Sequence, residues 1–252
     1  MTKQAWLARK EHNNGVVELE LGRAPVNALS PQFLQDFADE MTALGDDDQV
    51  RAIVLSSPFK VFSAGLDLKE AQAFDLAQQN AIVRGLNVGF LAEFACPKPV
   101  VTAVTGAAIA GGLFFVLASD LRVAGPRASF GLAEVRVGAD FPVGPLEIAR
   151  ATLDSNLQRR LMLTGQPIRV DEAHRVGMVD LVVDENDAVL STALEQAQTM
   201  AQLPPQTFAS IKRQLRGDTI AKIELVMANG GNAPVGGWFS DETLPAMQRM
   251  IG

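Results

Sequence analysis

The stretch GAAIAGGLFFVLASD, Gly106 to Asp120, carries no charge before its last residue and sets two adjacent glycines, Gly111 and Gly112, where an apolar helix begins. It belongs to a longer uncharged run, Pro99 to Ser119, bounded by Lys98 and Asp120, and about 20 apolar residues is the length that crosses a bilayer. The run does not read as a span. Val100, Val101, Thr102, Val104 and Thr105 are β-branched and read as a buried strand, Gly106 breaks it, and the helical part after Gly112 is too short to cross. A buried strand feeding a buried helix makes this an α/β chain. Glycine costs about 1 kcal/mol relative to alanine inside a helix, but much less at an N-terminus, where the missing Cβ lets another group approach free N–H donors. The pair therefore reads either as close helix–strand packing or as an opening onto backbone donors.

A second glycine turn bears on that choice. VFSAGLDLKE, Val61 to Glu70, follows the strand Arg51 to Ser56 and places Gly65 in a turn from which the N–H of Leu66 can point outward. Two separated turns that each offer one backbone N–H suit a carbonyl oxygen on which negative charge develops, which suggests an oxyanion hole. Around these turns, VVELEL (Val16 to Leu21) alternates and reads as a half-buried strand. Ser30–Pro31 opens a helix with Phe33, Phe37, Met41 and Leu44 on one face and Gly45 at its end. Asp75 to Ala95 has a helical pattern, Leu121 to Ala124 reads as a short strand, and helices follow near Leu146 to Thr152 and Asp154 to Leu163. Asp171 to Val176 is a short helix closed by Gly177, and Val179 to Val183 a strand. After Asp184 the pattern is helical only, over Asn186 to Met200, Pro204 to Leu215 and Asp218 to Ala228, with GGNAPVGG (Gly230 to Gly237) as a mobile loop. The order divides into a strand–helix core, residues 1–185, and a helical C-terminal region, residues 186–252.

At 252 residues, 48% hydrophobic and 20% charged, the chain can bury one large core. A net charge of -7 disfavours a nucleic-acid partner, since phosphate binding wants positive surface. The single cysteine, Cys96, excludes an internal disulfide and reads as a small buried hydrophobe, and His12 and His174 lie too far apart in sequence to suggest a metal cluster. His174 reads as a helix-surface residue. The opening MTKQAWLARKEHNNG has no apolar run of signal-peptide length. A cytoplasmic protein is the expectation, in a bacterial cytoplasm first, with a processed mitochondrial chain as the alternative. No G-x-S-x-G elbow and no P-loop occurs.

The ordered set RAPVNAL, VFSAGLDLKE, TGAAIAGGLFFVLASDLRVA, ASFGLAEVRVG and LTGQPIRVDEAHRVGMVDLVV resembles the crotonase superfamily, the enoyl-CoA hydratase/isomerases. The resemblance implies a spiral of ββα units and a C-terminal helical region used in trimerisation, as a homotrimer or a dimer of trimers. It also implies an acyl-CoA thioester whose carbonyl sits between the N–H groups of Leu66 and Gly111, with coenzyme A present only as part of the substrate and no metal. By the same match the loop Ala64, Gly65, Leu66, Asp67, Leu68 and Lys69 lines the CoA site with Ala24 and Gly111, and Arg23 and Lys69 are candidate positive charges for its phosphates or ordinary surface charge.

Carboxylates select the reaction on this fold. Hydratases of the family place one glutamate three residues after the second oxyanion glycine, and that position here is Phe114. The other hydratase glutamate matches Glu134, whose pKa partial burial would raise toward the range useful for proton transfer. One carboxylate and an oxyanion hole suffice for a 1,3-proton shift, and both the loss of the other glutamate and VFSAGLDL resemble the Δ3,Δ2-enoyl-CoA isomerase branch, with Phe114 as an apolar wall. Asp140, in VGADFPVG, reads either as a loop-ordering residue before Pro142 or as a second acid supporting hydration, hydrolysis or C–C bond chemistry. A non-catalytic acyl-CoA binder is the reading from another class.

Overall fold

The computed structural model describes residues 6–251. Its strands in chain order are β1 (Leu7–Glu11), β2 (Val16–Leu21), β3 (Ala52–Ser56), β4 (Val61–Ser63), β5 (Val100–Val104), β6 (Ala107–Ile109), β7 (Leu121–Ala124), β8 (Ser129–Gly131), β9 (Ile168–Arg169) and β10 (Leu181–Val182). The helices are α1 (Pro31–Asp46), α2 (Leu68–Ala71), α3 (Leu76–Phe94), α4 (Phe114–Leu117), α5 (Glu134–Val137), α6 (Val143–Thr152), α7 (Ser155–Thr164), α8 (Val170–Arg175), α9 (Ala188–Met200), α10 (Pro205–Val226) and α11 (Thr243–Ile251). Among the described residues no helix is long and apolar enough to cross a membrane.

The strands form two sheets, β1-β2-β3-β5-β7-β10 and β4-β6-β8-β9. Pairing within the first is parallel except at β1, and within the second it is parallel except at β9. Each of β3, β5 and β7 is followed at once by a strand of the other sheet, so the chain steps between sheets three times in one direction. That is the spiral of ββα units.

The first sheet is buried on both faces. Val17, Leu19, Leu21, Ile53 and Leu55 point into a core shared with α1 and α3, where Phe115 meets Phe37 and Phe90 edge-on at 4.8 and 5.1 Å. Val16, Ala52, Val54, Val101, Ala103 and Val123 point the other way, onto Val189, Ala193 and Ala197 of α9. This corrects the half-buried reading of β2. Its Glu18 is 2% exposed and accepts from Ser56 Oγ at 2.6 Å, beside His12 Nε2 at 3.1 Å. Burial pushes the Glu18 carboxyl up, and the hydrogen bonds from Ser56 and His12 together with the Lys10 charge outweigh it and hold the group below its usual value.

Local signals place the helices. Ser30 caps α1 by accepting from Phe33 N, with Pro31 at the first helical position, and the helix runs one residue beyond Gly45. Asp75 and Gln78 close a capping box on α3. The two C-terminal helices expected on either side of Gly217 are one helix, α10, since a glycine with no neighbour near its missing Cβ weakens a helix without breaking it. The start of the chain supplies β1, and the end supplies α11; neither was legible, because β1 (LARKE) is exposed over four of its five residues.

One polar cluster anchors α10 to the core. Lys212 Nζ and Arg216 Nη2 reach the carboxylate of Asp120 at 2.7 and 2.9 Å. Arg216 also donates to the carbonyls of Phe94, Ala118 and Ser119, and its guanidinium lies 4.3 Å over the Phe94 ring. Arg122 Nε and Nη2 donate to Val116, Leu117 and Ser119. Between them the two arginines satisfy the carbonyls that α4 leaves at its C-terminal end.

Candidate active site

Both glycine turns end strands of the second sheet and meet each other. After β4 the chain reverses at Gly65, where φ is +78° and an added Cβ would lie 2.8 Å from Ile109 O. Leu29 N donates to Gly65 O and Asp67 N to Leu29 O, which brackets Leu66 and leaves its N–H outside the ladder. After β6, Ala110 takes the left-handed conformation at φ 50°, which costs an L-residue on the order of 1 kcal/mol or more and is found where a site demands it. It turns the chain into a 3-10 turn, Ala110–Leu113. Gly111, second in that turn, has an N–H with no partner inside it. Gly112 packs on β4, where a Cβ would fall 2.6 Å from Ser63 O, and a Cβ on Gly111 would meet Leu29 Cδ1 at 2.7 Å. The two glycines thus serve both readings at once: Gly112 lets the turn seat against the neighbouring strand, and Gly111 lies at the cavity with its N–H unspent.

The cavity between these turns has a volume of about 80 Å³. Leu66, Gly111, Phe114, Glu134, Phe141 and Trp238 are among the residues that line it, and Glu134 is the only titratable side chain in the lining among the described residues. Glu134 opens α5, 7% exposed, with Oε2 lacking any hydrogen-bond partner. Burial drives its pKa up to about 8, opposed only by its own backbone N–H. Phe114, fully buried, leans on Phe90 and Phe141 at centroid distances of 5.5 and 6.4 Å. The arrangement can polarise a carbonyl, exclude water and move one proton.

Of the other residues singled out in the sequence, Ala64 and Leu68 line the same cavity and Gly65 supports it from behind. Arg23, Ala24, Asp67 and Lys69 lie outside the lining. Arg23 is held by Asp67 at 3.2 Å and Glu70 at 3.1 Å, donates to Ala28 O, and packs over Trp6 at 5.2 Å, so most of its charge is matched within the protein. Lys69 is exposed. The Asp140 side chain is also exposed and outside the lining, and what that residue gives the site is its carbonyl, which accepts from Trp238 Nε1 at 3.0 Å. The sequence left Trp238 unplaced and passed over Met250 and Phe141, because these converge from three separate segments with no local motif.

Comparisons with known proteins place the chain in a family. A probable enoyl-CoA hydratase of Mycobacterium tuberculosis is 32% identical over 200 residues, covering 79% of this chain and 76% of the relative. A hexahydroindene-carboxyl-CoA hydrolase of the same organism is 32% identical over 205 residues, covering 80% of each. Among solved structures, human mitochondrial delta3-delta2-enoyl-CoA isomerase superposes with a TM-score of 0.89 at 26% identity, covering 98% of this chain and 96% of that one. The family model for enoyl-CoA hydratase/isomerase matches residues 11–228, a span that holds both donor turns and Glu134, and the chain belongs to that family, on the crotonase fold.

Proposed function

We propose that this protein is a Δ3,Δ2-enoyl-CoA isomerase. The observation that carries the reading is the solitary carboxyl: an apolar cavity with two unspent backbone donors and Glu134 as its one titratable group among the described residues. The Glu134 carboxylate takes a proton from C2 of a 3-enoyl-CoA; the C–H electrons form a C1–C2 double bond and the carbonyl π electrons move onto the thioester oxygen, leaving a dienolate with its C3–C4 double bond in place. The N–H groups of Leu66 and Gly111 hold the dienolate oxygen. Glu134, now protonated, returns the proton to C4 as the oxygen electrons restore the carbonyl, the C1–C2 pair forms the C2–C3 double bond and the C3–C4 pair takes the proton. Hydration needs a second group to handle water, and at the position that carries it in hydratases Phe114 offers only an apolar wall. Asp140, exposed outside the lining, is not placed to supply that group. Coenzyme A enters as part of the substrate, and the mechanism uses no other cofactor.

Purified protein mixed separately with 3-enoyl-CoA and 2-enoyl-CoA tests this by absorbance of the conjugated thioester. A rise with the first and no change with the second supports the isomerase; loss of absorbance with the second means hydration and overturns it. The pH profile adds a check. A base with a pKa of about 8 is mostly protonated at neutral pH, so kcat/KM for the 3-enoyl substrate should climb with pH and level off above about 8. Gly65→Ala should lower kcat by about a hundredfold or more, because the left-handed turn that presents Leu66 N–H cannot accept a Cβ facing Ile109 O. Circular dichroism of the variant would distinguish this from unfolding.

We also assign the C-terminal helical region to self-association, as a homotrimer or a dimer of trimers. Ile211, Leu215 and Leu225 of α10 are 50%, 80% and 64% exposed, an apolar face that a single chain leaves in water. Sedimentation velocity reads the state directly, and a monomer at micromolar concentration would refute the assignment.

A further inference from the structure

The residues after α10 fold back across the cavity as a strap. Near its start, Asn87, fully buried on α3, accepts from Gly144 N at 2.8 Å and donates to Asn232 Oδ1 at 2.9 Å. Further on, the chain turns at Gly236 and Gly237, both with positive φ. Trp238 N and Phe239 N then both donate to the single carbonyl oxygen of Gln79, at 3.0 and 3.1 Å. Phe239 stacks on Phe74, with the rings 4° from parallel and 6.4 Å apart. On the far side Thr243 Oγ1 donates to Gly138 O at 2.6 Å, and Trp238 Nε1 donates to Asp140 O. The strap therefore runs from α3 to the loop just after Glu134, and Trp238 and Met250 complete the cavity wall.

What these side chains face follows from their chemistry. The lining offers no cation to a phosphate among the described residues, so the part of a CoA ester that meets Trp238, Met250, Phe141 and Leu86 is hydrocarbon. The cavity volume, about 80 Å³, is roughly half the ~150 Å³ that accommodates a benzene molecule in a protein interior. A short acyl tail fits beneath the strap, and a long one must displace it.

We infer that the strap from Gly236 to Ile251 sets the acyl-chain length this protein accepts, with Trp238 as the stop and Gln79 as the positioning residue that latches it. This rests on the reading of the cavity as an acyl-CoA site. Trp238 touches the substrate tail; Gln79 acts through the backbone of Trp238 and Phe239. The Gln79 latch is two hydrogen bonds to one uncharged amide, so opening it leaves no buried charge.

Calorimetric titration with saturated butanoyl-CoA and dodecanoyl-CoA, neither of which can isomerise, tests the inference apart from the chemistry. The wild type should prefer the shorter ester, and Trp238→Ala should shift the ratio of the two dissociation constants toward the longer by about tenfold or more, the size expected when a pocket gains room for methylenes. Trp238→Phe, which keeps the bulk, should retain most of the wild-type preference. Gln79→Ala, which alters no cavity wall, should move the ratio the same way as Trp238→Ala but less, and serves if the tryptophan variant fails to fold. A ratio unmoved in folded Trp238→Ala and Gln79→Ala overturns the inference, as does failure of the shorter ester to bind wild type. If the ratio shifts while 3-enoyl-CoA is not isomerised, the length gauge stands and the assigned reaction falls; isomerisation with an unmoved ratio means the reverse.

Discussion

Glu134→Gln should reduce turnover of 3-enoyl-CoA by about a thousandfold or more, at the upper end of what one positioned proton-transfer group supplies. Affinity for a saturated CoA ester should hardly change, since glutamine keeps the shape of the side chain. A variant that turns over like wild type would leave the non-catalytic binder as the better account. The same substitution has a second, independent signature in stability. The folded protein holds the Glu134 proton up to about pH 8, whereas the unfolded chain releases it near 4.5. Stability from this group is therefore complete below about pH 4.5, is lost progressively as pH rises through that window, and stays lost above about 8. Glutamine has no proton to lose. Urea denaturation should find the two proteins alike at acid pH and the variant more stable above pH 8, by an amount on the order of a few kcal/mol. The sign is opposite to that of an ordinary paired carboxylate, and an unchanged difference across pH would mean that Glu134 is solvated.

Asp120→Ala should destabilise the protein by about 3–5 kcal/mol, the usual cost of stripping a buried ion pair of one partner. Asp120 is the carboxylate that both Lys212 and Arg216 reach, and Lys212 is 6% exposed. Burial already pulls the Lys212 ammonium below its usual value, and the Asp120 charge opposes that pull. Glu93, fully buried with neither carboxyl oxygen hydrogen-bonded, has its pKa driven well above the usual range by burial despite the Lys212 and Arg216 charges, and it accepts no hydrogen bond from either cation. The companion Asp120→Ala/Lys212→Met should recover part of the loss, because it removes the stranded ammonium as well as the carboxylate. Chemical denaturation of the two singles and the double gives the coupling; a single-variant loss below about 1 kcal/mol would mean that water reaches the cluster.

Legibility in the sequence followed the range over which each feature is determined. The caps at Ser30 and Asp75, the β-branched run from Val100 and the glycine turns at Gly65 and Gly111 are set within a few residues, and their elements lie where the sequence puts them. Glu18 misled because alternation signals one wet face, while here α9 covers that face and Ser56 and His12 satisfy the acid. Gly217 misled because a helix tolerates one glycine with open space at its missing Cβ. Arg23 was legible as a cation but not as one already engaged, since Asp67 and Glu70 meet it only once α2 folds beside it. The cavity wall from Phe141, Trp238 and Met250 is a tertiary product with no signature in any one segment.

The short helix α4 joins two of the features described above. Its leading turn carries Gly111 at the cavity, and its trailing carbonyls are held by Arg122 and by Arg216 of α10. If binding at one end shifts docking at the other, thermodynamic reciprocity makes the coupling equal in both directions. A ligand that fixed Gly111 in one position would then tighten the grip of α10 by the same free energy, and amides of α10 around Arg216 would exchange their hydrogens more slowly with the distant cavity filled.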